Sequence, residues 1–65
     1  MIPFDRAIMF EATGLRAIVY VDANDVIVNN WQSETREFMH STLTQLREWF
    51  AVHHPDFIET DVTGC

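Results

Sequence analysis

The stretch AIVYVDANDVIVNN, Ala17 to Asn30, sets two apolar runs on either side of four polar residues. Asn and Asp tolerate left-handed backbone and bond their own chain, so Asp22-Ala23-Asn24-Asp25 predicts a hairpin connection between two strands. Side chains alternate along a strand. Ala17, Val19 and Val21 therefore share one face of the first run, with Ile18 and Tyr20 on the other. In the second run Val26 and Val28 oppose Ile27 and, further on, Trp31. Both faces of this hairpin are apolar, and both need cover.

The flanking sequence supplies a first layer of cover. Phe4 to Ala12 alternates weakly and stops at Thr13-Gly14, where glycine permits turn geometry that other residues resist. Leu15 to Asp22 and Val26 to Trp31 follow as the second and third strands, rich in β-branched and aromatic residues. Residues 34–40 read in two ways. Met39, Leu43, Leu46 and Phe50 fall at helical spacing, which allows one long helix from Glu34. Thr42 and Gln45, three apart, instead match a capping box that starts the helix near Thr42. The second reading is favoured, and it leaves Thr35 to His40 as a fourth strand. His53 and His54 suit the last turn of the helix, where exposed carbonyls favour positive charge, and Pro55 stops continuation. Phe57 to Val62 alternates again and adds a short edge strand. The expected fold is one small α+β domain spanning residues 1–65. It is an antiparallel β-meander of three to four strands with one amphipathic helix packed on one face.

That architecture covers one face only. Leu43, Leu46, Trp49 and Phe50 form an apolar stripe, but a helix of about eleven residues is roughly 16 Å long and cannot wrap both sides. The second face, expected to carry Ile18, Tyr20, Ile27 and Trp31, must meet the N-terminal segment or another molecule. Large exposed apolar patches mark interaction sites.

Size and charge narrow the partner. Domains near 60 residues bury only about 60% of the surface their unfolded chain exposes, and ordering each residue costs roughly 1.5 kcal/mol. Cys65 is the single cysteine, so no disulfide within the chain can help, and it has no expected role. Apolar residues at 48% place the chain among folded domains. The longest apolar run, Ala17 to Val21, is too short for a bilayer, and the N-terminus lacks the basic-then-apolar order of a secretory signal. A cytoplasmic protein without membrane contact is expected. Ten carboxylates face four arginines and no lysine, for a formal net charge of −6. Phosphate backbones are bound by Lys and Arg, so direct nucleic-acid binding is not expected and a basic protein surface is.

Catalytic and metal patterns are missing. Adjacent His53 and His54 diverge by about 100° on a helix and match no ligand spacing, and His40 beside Glu37 fits a surface pair. Ser33 and Ser41 sit at turn or cap positions. With glycine only at 14 and 64 there is no phosphate-cradling loop. No cofactor, metal or enzymatic activity is expected.

The segment STLTQLREWF, Ser41 to Phe50, resembles the capped helix of small phage anti-CRISPR inhibitor proteins, in which a hydroxyl cap precedes Q-L-x-x-W-F after antiparallel strands. The match covers about a sixth of the chain. Its positions are those that pack the helix, so it assigns no site residue. The resemblance implies stoichiometric blocking of a host defence complex, often at its nucleic-acid-binding surface. From the residues themselves, the expected contact set is Tyr20 and Trp31 as apolar anchors with Asp22, Asp25, Glu34 and Glu37 as the acidic surround. The expected partner is a basic surface of a host protein or ribonucleoprotein complex. Carboxylates spaced like phosphates would act there as a DNA mimic. The rival is a structural homodimer, or a subunit of a larger assembly, with a permanent apolar interface.

Overall fold

The computed structural model describes residues 4–32 and 38–64. The chain forms a four-stranded antiparallel sheet and one helix, an α+β fold. The strands are β1 (Arg6–Ala12), β2 (Leu15–Val21), β3 (Ile27–Gln32) and β4 (Ile58–Asp61), and the helix α1 (Leu43–His53) lies between β3 and β4 in the chain. Spatial order is β3-β2-β1-β4. Thr13 and Gly14 alone connect β1 to β2, with Ala12 opposite Leu15, and Gly14 takes the left-handed conformation (φ +82°) that so tight a link needs.

One irregularity decides which residues face which way. Tyr20 pairs with Asn29 while Val21 pairs with Ile27, so Val28 is an extra residue with no partner. Such a β-bulge breaks the strict two-residue period. Ile27 consequently joins Val21 on one side of the sheet, and Trp31, opposite Ile18, lies on the other. The expectation that Ile27 and Trp31 share a face is corrected here. Ile27 is fully buried in the core and Trp31 is 53% exposed.

The core lies between the sheet and α1. From the strands it takes Ile8, Phe10, Leu15, Ala17, Val19, Val21 and Ile27; from the helix, Leu43, Leu46 and Phe50. Phe10 stacks on Phe50 (ring centroids 5.0 Å), and Phe57 closes the group against both rings at 5.9 and 5.4 Å. Burying an aromatic ring of this kind removes some 150–250 Å² from water, so this trio anchors the helix to the middle of the sheet.

Thr42 caps α1 as a full capping box: its hydroxyl accepts the Gln45 N–H, and the Gln45 side chain accepts the Thr42 N–H. The helix therefore starts where the hydroxyl and the amide three residues later place it, and the long-helix alternative from Glu34 is set aside. The strand expected over Thr35 to His40 is also corrected in its described part. Phe38 to His40 form a turn, with His40 at φ 71°, and Phe38 drops into the core edge-on to Trp49 (5.4 Å). Residues 35–37 lie outside the described residues. The fourth strand comes from the C-terminal segment instead: β4 pairs with β1, Ile8 opposite Asp61 and Phe10 opposite Glu59.

Candidate functional site

Residues directly opposite one another in a sheet share a face. Reading the register across the side away from α1 gives three rows: Asn29–Tyr20–Ala7, then Trp31–Ile18–Met9–Thr60, then Arg16–Glu11–Ile58. This open face carries a band of apolar side chains that α1, the helix among the described residues, does not cover. Met9, Ile18 and Tyr20 are half-buried by their neighbours, while Trp31 and Ile58 stand mostly in solvent. Phe4 folds over one corner, its ring edge-on to Tyr20 at 4.9 Å, and itself stays 42% exposed. The N-terminal segment, in its described part, thus shields the Tyr20 corner and leaves the Trp31 end uncovered.

At that uncovered end a shallow, wide-mouthed depression of about 310 Å³ is lined by Glu11, Ala12, Gly14, Leu15, Arg16 and Trp31. The Arg16 guanidinium donates to Glu11 at 2.7 and 3.1 Å, so the floor is an ion pair beside an indole.

Of the expected contact residues, Tyr20 and Trp31 are brought together as diagonal neighbours across β2 and β3. Asp22 and Asp25 sit apart from them, at the hairpin tip, and both are engaged in holding it. The Asp22 Oδ1 accepts the N–H groups of Asn24 (2.8 Å) and Val26 (3.0 Å). Asp25 adopts a left-handed backbone (φ 61°), pairs with the Arg6 guanidinium, and gives its carbonyl to the Leu43 N–H at the start of α1. Glu34 and Glu37 lie outside the described residues, as does Cys65.

Electrostatics follow from how the cations are used. The described arginines all pair within the chain: Arg6 with Asp25, Arg16 with Glu11, and Arg47 with Glu59. The last pair is bidentate, at 2.8 Å for each contact, and the Glu59 hydrogen bond holds the Arg47 pKa above its ordinary value. Asp5, Asp22, Glu48, Asp56 and Asp61 have no such cation partner among the described ion pairs. Asp56 accepts both the backbone N–H and the hydroxyl of Thr13, and these bonds depress its pKa. Asp61 is likewise depressed, first by the Thr63 side chain, then by the Thr63 backbone N–H, which reaches its Oδ1 at 2.9 Å, and also by the Arg6 charge.

His53 stacks flat on Trp49 (4.5 Å) with its ring Nδ1 3.1 Å from the Trp49 carbonyl, and the His54 N–H donates to the Phe50 carbonyl to close the helix. Among the described residues no three His, Cys, Asp or Glu side chains converge as a metal site would require. No described helix is long and apolar enough to cross a membrane.

Met9, Ile58 and Phe4 belong to the open face and were not among the expected contacts. Met9 and Ile58 follow from simple alternation once β1 is paired with β4, whereas the contact between Phe4 and Tyr20 has no local sequence signal. No family model, curated protein sequence or solved structure matches this chain.

Proposed function

We propose that the protein is a small acidic protein–protein interaction module, without enzymatic activity, that docks through its open sheet face on a basic surface of a larger protein or ribonucleoprotein. The observation that carries this reading is Trp31: a tryptophan held 53% exposed on a regular strand, beside Ile18 and diagonal to Tyr20. Tryptophan, tyrosine and arginine are enriched among the residues that supply interface energy, and about half of this indole is left to solvent. The formal charge of −6, with the described arginines all paired within the chain, favours a basic partner over nucleic acid or anionic lipid.

The sharpest version is a phage-encoded inhibitor that occupies the nucleic-acid-binding surface of a host defence complex in the cytoplasm. The helix resemblance and the formal charge of −6 support it. A test is capture from a lysate of the source cells by the wild-type chain and by Trp31→Ser. The expected result is a nucleic-acid-binding protein that the wild type alone retains, that added DNA or RNA displaces, and that high salt releases. A homodimer by light scattering, unchanged between low and high salt and with nothing retained, overturns the reading in favour of a permanent apolar interface.

A further inference from the structure

We infer that the segment seated on the open face is a proline-rich stretch of the partner in the polyproline II conformation, laid across Tyr20 and Trp31. The inference deepens the binding reading above and rests on it for the face that docks.

Net charge does not choose what sits here. In the three rows of the open face the charged residues are Arg16 and Glu11, and they pair with each other. The formal charge of −6 favours approach to a basic protein; the seat itself selects by partial charge. Tyr20 and Trp31 are diagonal neighbours, and Asn29 stands directly opposite Tyr20. The Asn29 side-chain oxygen accepts the Asn30 N–H at 2.9 Å, so the group this amide has left to offer is its NH2. The Trp31 indole adds an N–H and the Tyr20 hydroxyl an O–H. Among the described residues none of these three donors has an acceptor. Beside the aromatic pair the chain therefore presents donors, and the Tyr20 oxygen is the one acceptor among the three groups.

Occupants differ in what they bring to such a surface. An extended segment laid on a sheet face, away from its edges, brings amide N–H groups that these donors cannot receive, and burying them unpaired is costly. A helix keeps its carbonyls for its own backbone. A second copy docking through the same patch sets donors against donors. Polyproline II has no internal hydrogen bonds and proline has no N–H, so this segment presents carbonyls and apolar rings. Its three-residue turn rises about 9 Å, close to the roughly 7–8 Å between diagonal neighbours of an antiparallel pair. One turn reaches from the phenol to the indole, with half-buried Ile18 beside them. Aromatic-lined seats are the general mode by which polyproline segments are bound.

The test is a nitrogen-edited NMR titration of the full chain with three end-blocked probes: decaproline, an alternating alanine–serine decapeptide, and an amphipathic lysine–leucine helix. The expected result is saturating displacement of the Trp31 indole N–H and Asn29 side-chain amide cross-peaks by decaproline only, with the Trp49 indole as an unmoved reference. Trp31→Phe removes one donor and keeps a ring. Asn29→Asp keeps an acceptor for the Asn30 N–H and replaces the outward donor with an acceptor. Each should weaken decaproline binding roughly fivefold, the scale of one hydrogen bond, with the other backbone cross-peaks in place. No displacement by decaproline overturns the proposal, as do equal displacements by the alanine–serine peptide or undiminished binding in both variants. A response to the lysine–leucine helix alone overturns it too. The open-face reading is judged separately, by capture with Trp31→Ser: lost capture beside an inert decaproline leaves that reading standing and removes this one.

Discussion

The sheet has two faces of similar apolar content and different fates. On the helix side, Phe10, Ala17, Val19, Val21 and Ile27 retain no exposure, and Phe50 and Leu46 of α1 fill the space between them. On the far side, Met9, Ile18 and Tyr20 lie only half-buried in a row that ends at an exposed Trp31, with Phe4 as their sole described aromatic cover. Close-packed interiors resist any change of volume, whereas scattered surface positions tolerate most changes. One face is therefore committed to holding the chain together. The other is available for something else, and substitutions on the two should separate stability from binding.

The largest effect is expected at Phe50. Its ring touches Phe10, Phe57, Phe38 and Trp49 and is wholly buried. Phe50→Ala should cost about 3–5 kcal/mol, enough to consume most of the stability of a domain this small, read as the midpoint shift in urea unfolding. A loss below about 1 kcal/mol would mean that the covered face is not the core, and the comparison would collapse.

Next comes the helix cap. Thr42→Ala removes the acceptor for the Gln45 N–H and should cost about 1 kcal/mol. Thr42→Ser keeps the hydroxyl and should restore most of it. Equal losses in the two variants would assign the effect to the methyl group's packing rather than to the cap.

A third prediction concerns acid. Asp56 ties the Thr13 turn to the segment after α1, and its pKa is depressed first by the Thr13 N–H and then by the Thr13 hydroxyl. A carboxylate whose folded pKa lies below its unfolded value contributes stability above the unfolded pKa and loses it as pH falls through the folded one. Stability should therefore fall on acidification below the usual carboxylate range. Asp56→Asn should flatten that acid limb, with little change at neutral pH because the group is exposed. An unchanged limb in the variant would place the acid sensitivity elsewhere, Asp61 being the next candidate by the same sign.

How much of this was legible in the sequence depends on whether the signal was local. The β1–β2 turn at Thr13-Gly14, the hairpin at Asp22–Asp25 and the box at Thr42 and Gln45 are each written within a few residues, and their chemistry leaves little choice. The bulge is different. Val28 is β-branched and apolar like Val26 and Ile27 around it, so nothing marks it as the unpaired residue. Its position is set by two requirements that act at a distance: Ile27 must reach the core beside Val21, and Asn29 must meet Tyr20. Phe38 departs from the strand expected over Thr35 to His40 for the same reason, since only the packed Trp49 and Phe50 rings show where it goes. In the candidate site, alternation is enough to put Ile18, Tyr20 and Trp31 on one face, and the bulge takes Ile27 off it. The hairpin-tip aspartates were legible twice over, as exposed charge and as turn formers, and the geometry gives the second role to Asp22.

The smallest effect on the fold is expected where the effect on binding is largest. Trp31 pairs in register with Ile18, yet half its surface already faces water and the residues beneath it are the Arg16–Glu11 pair and the turn at Gly14. Trp31→Ser should change stability by no more than about 1 kcal/mol, the scale of one cross-strand aromatic–β-branched pair. A buried interface tryptophan, by contrast, typically contributes about 2 kcal/mol or more to association, and a loss of that size weakens binding roughly thirtyfold. Measuring both quantities on one variant decides the matter. If unfolding shifts strongly and binding does not, the indole is part of the core and the open face is only an incompletely covered one. If binding falls and unfolding stays put, the exposed end of the row is where this molecule meets its partner.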